Sequence, residues 1–301
     1  MSGTSLNPVS VFTRYPTNLF TRNRWFYPVY DATWFVLLAA FVAALEFSGF
    51  RGFVPEMSDF RIEYLLLLPL VTYGLILCNV FAHNASHRNF PRAINRLVGE
   101  IVGCFVLTRF ASWEIIHLRH HKYSDDPERD PHNCLPGFWT KFLPYFVRNV
   151  ERQLQQHFFD YHGGRTPQNQ RFQNWRSLLS FATGVMLGVA FFRVLGAPLF
   201  FAVFVPAQII SIVQLAHFNW STHDGDSPTG NYRPVNIDRG LYWLGNRIFF
   251  GIYYHDNHHR IVTAFNPMFV AERSDQALPN SSASTSEPTP FEPSVPGLPS
   301  Q

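Results

Sequence analysis

Four apolar stretches punctuate the chain. Residues 34–50 form the first, interrupted only by Glu46 near its end, and residues 64–82 the second, with Pro69 inside. Residues 178–192 and 195–216 form the third and fourth, divided by Arg193. Each approaches the roughly 20 residues that cross a bilayer as a helix. Proline is tolerated in such a helix when neighbouring groups satisfy the freed carbonyl. The pattern predicts four transmembrane helices in two hairpins, with both chain ends on one side. Residues 98–110 are apolar but too short to cross, and predict a re-entrant or interfacial helix. Residues 241–254 are apolar, aromatic and again short, and are expected on the membrane surface or packed over a site built by the polar segments. The long stretch between the second and third spans, residues 83–176, is dense in Arg, His and Trp.

Composition agrees with a membrane protein. Only 15% of residues are charged, against about 25% in soluble domains, while 47% are hydrophobic and 31 are Phe. The net charge of +3 is too mild to indicate nucleic acid binding. Its distribution is more informative. Over half of the 24 Lys and Arg lie in residues 83–176, and the loops on the other side carry little positive excess. The positive-inside rule then places the central segment and both termini in the cytosol. Cys78, Cys104 and Cys134 form no CxxC pair and no disulfide framework, and the last two fall on the reducing side. The N-terminus lacks a short apolar region followed by a small-residue cleavage site, so no cleaved signal peptide is expected. The chain divides into a polar N-terminal segment 1–30, a membrane domain 31–273, and a Ser-, Pro-, Thr- and Glu-rich tail 274–301 expected to be disordered.

Eight histidines fall into three tight groups: His83 and His87; His117, His120 and His121; His255, His258 and His259. The spacings are HxxxH, HxxHH and HxxHH. Residues three and four apart share one face of a helix, and imidazole is the commonest side-chain ligand for iron, zinc and copper. An isolated pair of this kind is as readily a hydrogen-bonded core pair. Here the topology brings three groups to one face of the membrane, and eight imidazoles exceed what one metal can hold. The expected fold is therefore all-α: four transmembrane helices with a cytosolic helical cap holding a His-rich two-metal site.

The order of these boxes, their gaps and the four spans resemble the membrane fatty acid desaturase superfamily over roughly residues 30–270. The stretch HLRHHKYSDDPERDPHN, residues 117–133, looks like the second box of stearoyl-CoA-type desaturases with its downstream Asp-Pro-His-Asn, and HDNHH, residues 255–259, looks like their third. The resemblance implies two iron ions, O2 as co-substrate and an external electron donor such as ferredoxin or cytochrome b5. It also implies a ninth ligand from an Asn-x-x-x-His pair, here Asn219 and His223, with Asn219 holding a metal-bound water. His217 is the rival for that place. The first box departs from the acyl-CoA enzymes, which have one more residue between its histidines. The fatty acyl substrate is thus left open as free, lipid-, CoA- or carrier-linked. His162-Gly-Gly lacks the proline of the cytochrome b5 haem motif, so no fused donor is expected.

Several neighbours carry two readings. Glu114 and His117 make one ExxH pair, with Glu114 either beside a ligand or in a salt bridge. Asp125, Asp126, Glu128 and Asp130 either accept the outer N–H of ligand imidazoles or form a solvated acidic loop. His132 is a substrate-side or supporting group, and His157 and His162 are expected at the interface. Arg88, Arg92 and Arg96 recur every four residues, either holding an anionic group or forming a plain surface stripe. Phe110, Trp113, Phe138, Trp139, Phe142 and Tyr145 either line an acyl channel or anchor helices at the interface.

Desaturation of a fatty acyl chain is the first expectation. Hydroxylation, triple-bond formation and terminal-alkene-forming decarboxylation by the same centre stay open, because ligand spacing encodes none of them. A membrane metal-binding or transport protein is the second alternative, although transporters place their ionisable ligands near the middle of spans. HExxH and the zinc deaminase signature are absent.

Overall fold

A computed structural model describes Leu6 and residues 8–271 of the chain. The expected tail from residue 274 lies outside the described residues. Among those described there is no strand, only one bridge between Asn236 and Tyr254.

Among the described residues, four helical stretches are long and apolar enough to cross a membrane. The first is α3, Phe26–Phe47. The second is α4, Leu67–Ser86, preceded by a 3-10 turn at Ile62–Leu66. The third is α8, Pro167–Leu195. The fourth runs from α9, Ala197–Leu199, through a π-helical turn at Phe200–Phe204 into α10, Val205–Thr222. At 1.5 Å per residue even the shortest matches a bilayer core.

Two of these helices start well before their apolar runs. α3 begins at Phe26 rather than 34, and α8 at Pro167 rather than 178. The apolar run marks only the turns that face lipid; the polar turns are covered by protein. Thr166 caps α8 by accepting from the Asn169 N–H. Two turns beyond Asn169, Arg176, 1% exposed, bonds Gln173, Ser180 and Glu151. Arg109, ahead of α6, pairs with buried Asp31 of α3 at 2.7 Å and donates to the Ser180 carbonyl. At the other end of the bundle Arg193 and Glu46, which interrupt two apolar runs, meet each other at 2.6 Å.

The hairpin between α8 and α9 turns on Gly196. Its φ is +81°, and a Cβ there would lie 1.9 Å from the Val54 carbonyl oxygen. Phe53 and Val54 donate their N–H groups to the Val194 and Leu195 carbonyls, closing the loop after α3 onto this turn. The short apolar segment is a bent pair. α5, Arg92–Phe105, meets α6, Phe110–Lys122, at 102°. The bend needs close approach at Gly99, where the Phe110 ring sits 2.6 Å from the place of a Cβ.

The cap is built from α1, Pro8–Thr13, α2, Pro16–Arg22, α5, α6 and α7, Leu143–Tyr161. Leu19, Phe20, Phe26, Ile115, Ile116 and Phe158 are its core. His157 belongs to this core rather than to an interface. It is buried and stacked on Phe20 with ring centres 5.3 Å apart. His162 donates from Nε2 to the Phe20 carbonyl. The aromatic set divides as well: Phe138 and Phe142 pack with Cys134, Phe146 and Ala216, while Trp139 stands exposed. The stretch after the fourth span forms α11, Leu241–Ile248, and α12, His255–Arg260.

Candidate metal centre

Three long helices deliver histidines from their C-terminal ends. His83 lies in the last turn of α4 and His87 caps it; His117, His120 and His121 lie in the last turns of α6; His223 caps α10. A helix C-terminus carries the negative end of the macrodipole, which favours a cation. The short α12 brings His255, His258 and His259. Its pose is set by Asn257, which is completely buried. Asn257 donates to the Pro267 and Val270 carbonyls, and its backbone N–H donates to Asn236. Asn257 was not among the residues singled out from sequence. Its only signal was a polar position inside HDNHH pointing away from the histidines.

The nine imidazoles converge in two sets. His83, His87, His117 and His258 offer nitrogens that all lie within 4.8 Å of one another, as do those of His120, His223, His255 and His259. The Nε2 atoms of His87 and His117 are 2.7 Å apart, and those of His83 and His258 are 3.0 Å apart. His121 joins this first set, with Nε2 3.1 Å from that of His117 and 3.0 Å from that of His258. In the second set His255 Nε2 lies 3.0 Å from His223 Nε2 and 3.1 Å from His259 Nε2. Each HxxHH box is thus divided between the sets. Adjacent residues on a helix point about 100° apart, so His120 and His121 face different sets, and so do His258 and His259.

The outer nitrogens of two imidazoles are fixed by carboxylates. His120 Nδ1 lies 2.8 Å from Asp130 Oδ1, and His223 Nδ1 lies 3.0 Å from Asp125 Oδ1. Asp130 also accepts from the N–H groups of Asp125 and His132, which sets the shape of the loop. With its proton held on Nδ1, each ring turns a lone pair inward. Asp126 instead accepts from the Glu128 and Arg129 N–H groups, and Glu128 is exposed. Burial raises the Asp130 carboxyl, but the adjacent His120 outweighs it and holds the pKa below the ordinary value. Burial pulls His120 down, yet the charge of Asp130 and its hydrogen bond lift it overall. Burial lowers His87 to about 3 and also depresses His255, His258 and His259. Most of these rings are therefore neutral near pH 7, the form that binds metal.

The remaining candidates take distinct places. His217 lies outside both sets, half-buried against Phe138 and Tyr242. It is six residues from His223, which turns it to another face of α10. Asn219, one turn before His223, is buried and donates from Nδ2 to the Leu215 carbonyl. Glu114 is buried beside Arg96, 3.9 Å away, and burial raises its carboxyl to about 7. Trp113 stacks on His117, ring centres 5.3 Å apart and nearly parallel. His132 packs on Phe146 near His120, with neither ring nitrogen partnered, and burial lowers it to about 3.

The residues fit metal ions. Several Nε2 atoms face each other at hydrogen-bond distance. His120 Nε2 is buried and has no hydrogen-bond partner. Cations at the two foci would satisfy these lone pairs.

A family model described as "Fatty acid desaturase" matches residues 62–263, which contain all nine histidines. The chain is 23% identical over 241 residues to an sn-1 stearoyl-lipid 9-desaturase of Synechocystis sp., covering 77% of this chain and 71% of that one. It is 26% identical over 228 residues to an sn-1 stearoyl-lipid 9-desaturase of Anabaena variabilis, covering 73% and 79%. An sn-1 oleoyl-lipid 12-desaturase of Picosynechococcus sp. is 33% identical over 103 residues, 31% of this chain and 28% of that one. No solved structure matches.

Proposed function

Because the chain belongs to the fatty acid desaturase family, we propose that it is an O2-dependent two-iron membrane enzyme that introduces a double bond into a fatty acyl chain. The observation that carries this reading is the division of nine imidazoles between two facing sets. His83, His87, His117, His121 and His258 would hold one iron. His120, His223, His255 and His259 would hold the other, with Asn219 retaining a water beside it. Bound iron supplies the capacity to reduce O2 and to attack an unactivated C–H bond. The acyl chain loses two hydrogens while O2 takes two electrons and two protons and leaves as two waters.

The chain's own groups position these parts. Asp125 and Asp130 fix the tautomer and direction of two imidazoles. Trp113 lies flat against His117 and closes that side. The acyl-lipid names of the relatives favour a lipid-linked acyl chain, and the shorter first box accords with it. Electrons come from a separate protein such as ferredoxin or cytochrome b5, reaching a site on the cytosolic face where the basic central segment lies. The nine converging histidines lie at the ends of the spans or outside them rather than in mid-span, which disfavours a transport path.

The test combines metal analysis of the purified protein with mass spectrometry of lipids and volatile hydrocarbons from cells expressing it. Two irons per chain and a new double bond, absent in His255→Ala, support the reading. One zinc ends it, and hydroxylated lipids or terminal alkenes reassign the reaction.

A further inference from the structure

We propose that the cavity between α2 and the start of α5 binds the phosphate of an anionic phospholipid headgroup. The proposal rests on the membrane placement of the chain and not on the reaction at the histidines.

The cavity is about 310 Å³ and is walled by Arg14, Arg22, Arg92 and Arg96 with Thr13 and Asn18; no carboxylate lines it. That volume is at the small end for ligand sites, which suits a phosphate with its glycerol. Arg14, Arg22 and Arg92 are exposed, and none of them pairs with a carboxylate among the described residues. Arg96 is different. It is 8% exposed and anchored through Nη2 to Glu100 and the Val11 carbonyl, with Glu114 near Nη1. These acids balance its charge, yet its Nε and Nη1 find no hydrogen-bond acceptor. Arg96 thus adds a fixed positive charge to a wall of exposed arginines, and a phosphate is the anion that guanidinium groups grip best. Arg88 adds positive charge nearby, its guanidinium 3.7 Å from the centre of the Tyr15 ring.

The geometry of α5 selects a lipid over a soluble anion. Ile94, Leu97, Ile101 and Phe105 stand exposed, while Asn95, Arg96, Gly99 and Glu100 are buried. A helix divided this way lies in the membrane interface, its apolar side among the acyl chains. Arg92, its first residue, is then held at headgroup depth. The larger cavity, about 900 Å³ beside Arg119, offers no such site. Glu128 and Asp160 line it, and Arg119 is already bonded to Asp160, Gln153 and the Arg129 carbonyl.

Native mass spectrometry of the full-length protein, exchanged into detergent with phosphatidylcholine, tests this. On titration with phosphatidylglycerol, one adduct is expected to outcompete phosphatidylcholine at equal concentration. Arg14→Ala with Arg92→Ala should weaken that adduct by roughly thirtyfold, each arginine near an anionic lipid counting for about fivefold. Arg239→Ala, an exposed arginine elsewhere, should leave it unchanged. Unaltered metal content in the double variant shows that the fold is intact. Equal retention of the two lipids, or an adduct that survives the double substitution, overturns the proposal. Displacement of the lipid by millimolar inorganic phosphate also overturns it, and assigns the cavity to a free anion.

Discussion

The two histidine sets differ in how the protein supports them. The first gathers five imidazoles, and no carboxylate reaches any of them among the described residues. The second gathers four, and two of those are held from behind by Asp125 and Asp130. Five neutral donors would nearly complete a cation's coordination shell and leave its charge uncompensated. Four donors leave more room, and carboxylates behind two of them bring negative charge and make those imidazoles stronger bases. The sets are therefore not interchangeable: the second has fewer imidazoles, and carboxylates orient two of them. It is the set to perturb first.

The largest effect should come from removing a ligand of one set alone. His120→Ala should drop metal content from two ions to about one per chain and reduce product to background, while His121→Ala should do the same from the other side. Elemental analysis with lipid profiling measures both, and a variant that keeps two metals and full activity would break the two-set description. Next, Asp130→Asn keeps the size of the group but weakens its hold on His120. Affinity for the second metal should fall about 10- to 100-fold, with the first retained; equal loss at both would erase the contrast. Third, Asn257→Ala leaves buried partners unpaired and should cost about 1–3 kcal/mol, read as a lower thermal midpoint. Because α12 feeds both sets, both metals should loosen together in that variant. Smallest, Glu46→Ala breaks the partly exposed pair with Arg193 at the far end of the bundle. It should cost no more than about 1 kcal/mol and leave the metal content unchanged. Loss of metal there would mean the spans and the centre are coupled.

Much of this could be read from the chain. The four apolar stretches are where the spans lie, and the three boxes supply eight of the nine converging rings. The limits of the spans could not be read the same way. Hydrophobicity reports contact with lipid, so the buried polar turns of α8 around Gln173 and Arg176 left no trace in it. The arginine series divides for a similar reason, with Arg92 exposed and Arg96 buried. Arg96 looks like a surface cation in sequence but is bonded in the interior by Glu100, a partner the apolar pattern does not advertise. His223 and His217 were distinguishable only through the family resemblance, although the turn of α10 separates them. Asn257 could not be found at all, because its role depends on carbonyls ten and thirteen residues away.

The paired histidines at 120–121 and 258–259 also serve as a ruler. Consecutive Cα atoms are about 3.8 Å apart whatever the surroundings do, and each pair spans the gap between the two foci. The separation of the two foci is therefore bounded twice by covalent geometry. When the bilayer thins, thickens or tilts the spans, the two foci should travel together as one rigid gauge.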